Sequence, residues 1–137
     1  MALNLKYSAS LKNLQQDALT TRVGASCLID IMSGTQATNP DTAIGAQVIL
    51  ATLTGNATFA PGAASGALTL NPITSGTGTA GAGAGTTATW FRMKTSGGTA
   101  HVDGTVGITG ADLNLNNTNI ATGQTVSVPS FTITNGQ

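Results

Sequence analysis

Beyond residue 25 the chain consists of short alternating stretches separated by glycine-rich turns. Within residues 47–54, for example, Val48, Leu50 and Thr52 share one face of an extended chain. A period of two residues is typical of a β-strand, β-branched side chains favour strands, and glycine favours turns. The sequence therefore predicts a mostly-β fold, an antiparallel β-sandwich of jelly-roll-like form, with one short N-terminal helix.

The N-terminal stretch is the one good helix candidate. Ser8 or Ser10 is suited to cap its start, and Gly24 lies where a C-terminal stop belongs. The apolar side chains recur at spacings of three and four, at Leu11, Leu14 and Ala18. This modest stripe fits either a helix that packs on its own sheet or an arm that docks on a neighbouring subunit. We expect a single domain overall, with an arm and short helix at 1–25 and the β-sandwich at 26–137.

Several strands can be placed from their flanking turns. The run 26–32 is apolar except for Asp30, and 47–54 has apolar residues on both faces, which predicts a central position in a sheet. A short strand is expected at 67–70. A last strand is expected at 124–134, where Pro129 argues against a central place because it cannot donate to a ladder.

The clearest supersecondary unit is a hairpin over 86–107. The glycines of 96–98 suit a tight turn. Phe91 and Met93 share one face and are the expected core pair. The opposite face carries Trp90, Arg92 and Lys94.

The segment 74–87 consists almost entirely of Ser, Gly, Thr and Ala. Its glycines do not form a phosphate-binding loop, because no Gly-Lys-Ser/Thr ending and no following helix accompany them. We expect a flexible surface loop, or an extended edge that only a partner orders.

Charge is unusually scarce. Asp, Glu, Lys and Arg make up 7% of the residues, and five basic residues balance five acidic ones. A neutral chain offers no basic stripe for nucleic acid or for an anionic membrane surface. No apolar run approaches the length of a transmembrane helix, and the first residues lack the pattern of an export signal. We therefore expect synthesis in a cytoplasm, with no nucleic-acid and no membrane partner.

Catalytic chemistry lacks its usual residues. Cys27 is the single cysteine, so no intrachain disulfide or multi-cysteine metal motif exists, and its apolar neighbours predict a buried thiol. His101 is the single histidine, it falls in the middle of a predicted strand, and no Gly-x-Ser-x-Gly motif is present. We expect no enzymatic activity, no catalytic residue and no cofactor.

Oxygen-bearing side chains gather between residues 103 and 117. Oxygen ligands suit calcium, but the spacing is not that of an EF-hand, and such side chains in turns ordinarily bond to nearby backbone. The sequence therefore predicts no metal site. The side chains concerned are Asp103, Asp112, Asn114, Asn116 and Asn117.

Four segments of the second half carry a family resemblance. They are Ala88-Thr89-Trp90-Phe91-Arg92, Val102-Asp103-Gly104-Thr105-Val106-Gly107, Gly110-Ala111-Asp112-Leu113-Asn114-Leu115-Asn116, and Gly123-Gln124-Thr125-Val126 with Ser130-Phe131-Thr132-Ile133-Thr134. With them the chain resembles small virion-associated β-sandwich proteins of tailed bacteriophages, of the capsid cement or decoration type. The resemblance covers the C-terminal third well, and the strand around Leu50 and the Gly-Ala-rich middle more loosely.

The resemblance implies a structural virion protein, foremost a cement protein that binds the outer shell of an assembled capsid and stabilises it. Its expected partners are the major capsid protein and copies of itself, as a homodimer or homotrimer at the capsid surface. The candidate contact elements are the N-terminal segment, the Gly-rich loop and the hairpin aromatic. Their residues are Leu3, Leu5, Tyr7, Gly81, Gly83 and Trp90.

Two alternatives stay open at this stage. A tail or neck component of the virion fits the same resemblance. A carbohydrate-binding or adhesion module would use Trp90 as a stacking platform beside Arg92 or Lys94.

Overall fold

The fold is mostly β with one helix near the N-terminus, as the sequence predicts. The structure, a computed structural model, describes residues 4–135. Its elements are α1 (Ala9–Val23), β1 (Leu28–Ser33), β2 (Val48–Thr54), β3 (Ala67–Thr69), β4 (Gly76–Thr77), the 3-10 turn η1 (Ala80–Ala82), β5 (Thr86–Thr87), β6 (Trp90–Lys94), β7 (Ala100–Gly107), β8 (Leu113–Asn114), β9 (Asn119–Ile120), β10 (Thr125–Val126) and β11 (Thr132–Thr134).

The expected sandwich takes the form of one five-stranded sheet and three short ladders. The sheet has the order β2-β1-β6-β7-β8, and the two-stranded ladders are β10-β4, β11-β3 and β5-β9. All pairings in the described part of the chain are antiparallel except β7 with β8, which is parallel. This parallel pair is short and joins Val106 to Leu113 and Gly107 to Asn114.

The predicted hairpin is confirmed. β6 pairs with β7, and Gly98 has a φ of 96° at the turn and donates its N–H to the Thr95 carbonyl. Phe91 and Met93 lie in the core, also as predicted, and the ring of Phe91 meets that of Phe131 edge to face at 5.4 Å. Packing of this kind adds about 0.5–1.5 kcal/mol to the burial of the rings.

The prediction that the 47–54 strand is central was wrong, since β2 lies at one end of the sheet. Leu50 on one face and Ala51 and Leu53 on the other are buried, whereas Val48 is 40% exposed. The following Gly-rich segment covers the outer edge of the strand. Thr79 donates its N–H to the Leu50 carbonyl and its hydroxyl to the Ile49 carbonyl, and Thr54 and Thr74 exchange backbone bonds.

The Gly-rich segment is therefore ordered by the chain itself, against the expectation of a loop that is flexible or ordered by a partner. Glycine is needed because the backbones approach closely. A Cβ on Gly76 would lie 2.3 Å from the carbonyl oxygen of Thr52, a distance that only the absence of a side chain permits.

The predicted strand 124–134 is divided into β10 and β11, with Pro129 exposed in the interruption. β10 pairs with β4, whereas β11 pairs with β3. A proline has no backbone N–H to donate to a ladder. The predicted strand is therefore interrupted in the stretch that contains Pro129. The expected short strand at 67–70 is confirmed as β3.

Candidate functional site

The helix α1 begins and ends at the predicted residues, but it turns its apolar stripe outward. The hydroxyl of Ser8 accepts from the N–H of Leu11 at 3.2 Å, and Gly24 ends the helix with a φ of 78°. Leu11 is 42% exposed and Leu14 is 67% exposed, and Ala18 is exposed beside them. These three residues form what we call the outer stripe of α1.

The inner face of α1 is mostly polar, although Leu19 and Val23 pack against the core. Asn13 accepts the N–H of Gly66 at 2.8 Å, and Asp17 accepts the N–H of Ala63 at 2.7 Å. These bonds hold α1 on its own chain beside β3, which decides between the two packings left open by the sequence. A helix ordinarily buries its apolar side against the core. This helix instead leaves Leu11 and Leu14 in solvent.

Two side-chain oxygens on the inner face have no partner. The Oε1 of Gln16 and the Oγ1 of Thr20, one helical turn apart, are buried and make no hydrogen bond. A buried polar atom without a bond costs about 1–3 kcal/mol. The inner face of α1 therefore holds two buried oxygens without hydrogen bonds. Val23, at the end of the helix, is fully buried in the core.

The remaining predicted contact residues lie on separate elements. Leu5 is 64% exposed and Tyr7 is half-buried, both in the extended segment ahead of α1. Gly81 and Gly83 are exposed at η1, which packs on β2 rather than near the helix. Leu3 lies outside the described residues. The structure thus places the N-terminal candidates and the glycine candidates on different parts of the surface.

Trp90 is the exception among the predicted contacts. Its side chain is buried, with 1% exposed, so its ring offers no stacking platform to a sugar or a partner. The guanidinium of Arg92 lies 5.4 Å from the centre of the Trp90 ring, where a cation is attracted to the π-face. The expectation of an exposed aromatic ring beside free basic residues was therefore wrong. The face of the hairpin that carries Trp90 and Arg92 is covered.

A row of buried polar side chains crosses this second face. Strand register places Thr52, Asp30, Arg92 and Asp103 side by side on β2, β1, β6 and β7. Asp30 accepts from the hydroxyl of Thr52 at 2.8 Å and forms an ion pair with Lys94. Neighbouring opposite charges offset part of the cost of burying each one.

The strongest pair in this row is Arg92 with Asp103. Nε of Arg92 donates to Oδ1 at 2.8 Å and Nη2 donates to Oδ2 at 2.7 Å, a bidentate arrangement with both side chains at most 5% exposed. The hydrogen bonds to Asp103 raise the pKa of the Arg92 guanidinium from its already high ordinary value. The guanidinium of Arg92 therefore keeps its positive charge.

The loop 39–42 forms the cover over Arg92. Two of its carbonyls accept hydrogen bonds from the guanidinium, that of Thr42 from Nη1 at 2.8 Å and that of Asn39 from Nη2 at 3.1 Å. The side-chain oxygen of Asn39 also accepts the N–H of Thr42, which closes a turn over Asn39-Pro40-Asp41. Arg92 is thus a structural residue that fastens a loop to the sheet.

A cleft of about 390 Å³ opens between β7 and β11. Its apolar lining includes Phe91, Val102, Phe131 and Ile133, and its polar lining includes Asp103 and Asp112. The carboxylate of Asp112 is exposed and accepts the N–H and hydroxyl of Thr105, each at 2.8 Å. The sequence did not predict this cleft, because alternation identifies strands but does not indicate which strand edges end side by side.

The oxygen-bearing residues considered for calcium bond to their own neighbourhood. Asn114 accepts from Ala111, Asn116 accepts from Ser127, and Asn117 accepts from Asn119, each through a backbone N–H. Across residues 4–135, no cluster of three or more His, Cys, Asp or Glu side chains is placed to hold a metal ion. His101 lies half-buried on β7.

Cys27 is fully buried, as predicted. Removal from water disfavours the thiolate and raises the pKa of the Cys27 thiol, and this effect outweighs the backbone hydrogen bonds that lower it. A neutral, enclosed thiol is a packing residue and a poor nucleophile.

The chain has no significant match to any protein-family model, to any curated protein or to any solved structure. Among the residues that the structure describes, no helix is both long and apolar enough to cross a bilayer.

Proposed function

We propose that this chain is a structural virion protein of a tailed bacteriophage, most specifically a cement protein that binds the outside of the capsid and stabilises it. The observation that carries the proposal is the outer stripe of α1. Leu11 and Leu14 stand in solvent on a helix whose polar side is turned inward. An apolar surface that its own chain does not cover suits a docking partner.

The chain carries few charged side chains. Of the five basic and five acidic residues, two of each are used in the ion pairs of Arg92 with Asp103 and Lys94 with Asp30. The other charged side chains include Lys12, Asp17 and Arg22 on α1, so the outer stripe is an apolar strip beside charged residues, and its partner has to accommodate both. A protein that binds only the assembled shell stabilises that shell by linkage, and it needs no active site.

The test is electron microscopy of particles of the phage that encodes this chain, with and without the protein. A regular outer lattice that is present only with the protein is the expected result. Density confined to the tail or neck would assign the chain to that part of the virion instead, and absence from the particle would reject the proposal.

A pair of variants tests the outer stripe itself. Leu14→Asp removes apolar contact at the most exposed leucine of α1, and full burial of a leucine contributes about 1.5–3 kcal/mol. We expect its affinity for particles to fall at least tenfold. Ile108→Asp is the matched control, because Ile108 is 56% exposed on a loop away from α1. Equal occupancy for the two variants would contradict the role of the stripe.

A further inference from the structure

Two strand edges without a strand partner line the cleft between β7 and β11. The pairing of β7 with β8 begins only at Val106, so residues 100–104 pair with β6 alone among the described strands. β11 pairs with β3 on one side and with no described strand on the other. Unpaired strand edges present rows of N–H and C=O groups that accept a further strand.

The cleft has the chemistry of a site for an amphipathic strand. Its floor is apolar and includes the Phe91 and Phe131 rings, and Val102 and Ile133 line its walls. Asp103 is already neutralised by Arg92, whereas Asp112 presents an exposed carboxylate bonded only to uncharged groups of Thr105. A strand suited to the cleft would therefore be apolar on one face and basic on the other.

The N-terminal segment has this pattern. In Leu3-Asn4-Leu5-Lys6-Tyr7 the apolar side chains occupy every second position and Lys6 lies on the opposite face. Residues 4–7 belong to no helix or strand of their own chain, and Leu5 is 64% exposed. None of these residues lines the cleft of the same chain.

We propose that residues 4–7 of one copy of the chain add a strand in the cleft between β7 and β11 of a second copy. Leu5 and Tyr7 face the apolar floor, and Lys6 faces Asp112. Main-chain hydrogen bonds to the open edges supply the affinity, and the alternating side chains supply the register. Reciprocal exchange of arms between two copies closes a dimer, and exchange in one direction closes a ring or extends a chain.

A second copy is the occupant, because the helix that follows the arm is fixed to its own chain. Asn13 and Asp17 hold α1 at Gly66 and Ala63, and the arm ahead of it stays outside the cleft. The exchange involves no capsid protein. A chain that fails to associate in solution would therefore contradict arm exchange alone, and a chain that fails to bind particles would contradict the docking of the outer stripe alone.

The test measures association of the full-length chain by sedimentation velocity over a concentration series. We expect the wild type to associate, and Leu5→Asp to raise the dissociation constant at least tenfold. Asn4→Gln is the matched control, because Asn4 lies on the opposite face of the arm from Leu5 and the substitution adds no charge; we expect less than a twofold change. Both substituted positions are exposed, so neither variant disturbs the core.

Amide hydrogen exchange on the same samples locates the contact. We expect residues 100–104 and 132–134 to gain protection as the wild type associates, and Leu5→Asp to lose that protection. A wild type that stays monomeric at every concentration overturns the proposal. Association that survives Leu5→Asp, association that leaves both edges unprotected, or edge protection in the monomer would overturn it equally.

Discussion

The buried pair of Arg92 and Asp103 allows a quantitative test of how this sheet is held together. Asp103→Asn keeps the size of the side chain but removes its charge and one of the two oxygens that accept from the guanidinium. Arg92 keeps its bonds to the carbonyls of Thr42 and Asn39, but its positive charge then lacks its closest counter-charge while remaining 4% exposed.

The expected loss follows from the burial of both partners. Removing one member of a buried ion pair costs about 3–5 kcal/mol, because the other charge stays in a medium of low polarity. The entropy of unfolding is about 2.1 cal/mol/K per residue, which for 137 residues gives about 0.29 kcal/mol/K. Dividing the loss by this entropy predicts a fall in Tm of about 10 to 17 °C.

Thermal unfolding followed by circular dichroism measures the shift, and a urea titration gives the free energy of unfolding independently. Asp41→Asn is the matched control, since Asp41 is an exposed carboxylate in the neighbouring loop, and surface substitutions ordinarily change stability by less than about 0.5 kcal/mol. If Asp103→Asn lowered the Tm by less than 3 °C, the proposed contribution of this buried ion pair to stability would be refuted. Such a result would mean that water reaches the guanidinium and that the loop 39–42 does not seal this face.

Two further substitutions test the packing. Gly76→Ala should lower the free energy of unfolding by at least about 1–3 kcal/mol in a urea titration, because its Cβ would meet the Thr52 backbone. Gly45→Ala is the control and should leave the free energy of unfolding unchanged, because its Cβ would meet no atom closer than 3.8 Å. Stability that rests on the neutral Cys27 thiol should be complete below the ordinary pKa of 9.0 and fall as pH rises toward the higher pKa of the folded state. Cys27→Ala should flatten this decline, measured as the free energy of unfolding against pH, and an unchanged slope would contradict the assignment.

Local patterns predicted the elements of this fold well. The helix limits at Ser8 and Gly24 follow from capping chemistry, which acts within a few residues, and both are confirmed. The hairpin of β6 and β7 is confirmed for the same reason, because a glycine turn and two alternating strands are close in sequence. The core positions of Phe91 and Met93 follow from that alternation.

Long-range features could not be predicted from such patterns. The burial of Arg92 depends on the loop 39–42, which lies about fifty residues away in the chain. The end position of β2 depends on a Gly-rich segment whose composition indicates flexibility but whose backbone bonds to the Leu50 carbonyl. In each case the contact that determines the structure joins two distant segments, and neither sequence indicates that it contacts the other.

The orientation of α1 shows most clearly how tertiary contacts override a local pattern. The spacing of Leu11, Leu14 and Ala18 predicted a helix, and the helix is present, but these side chains are exposed. The hydrogen bonds of Asn13 and Asp17 instead turn the opposite face of the helix toward the rest of the chain. Sequence alone could identify the candidate surface. Only the structure could show that the stripe is left free, and that the cleft for the arm lies elsewhere.

The N-terminal segment therefore carries two different candidate surfaces, and their chemistry separates them. The outer stripe of α1 is a rigid apolar face held by side-chain bonds to β3 and its approaches, so it suits a surface that is already formed. The arm at residues 4–7 is an extended chain with unpaired backbone, so it suits an open strand edge. A change at Leu14 should act on binding to particles, and a change at Leu5 should act on association between copies. If one substitution abolished both properties, the two surfaces would be parts of a single interface, and the division between docking and arm exchange would have to be abandoned.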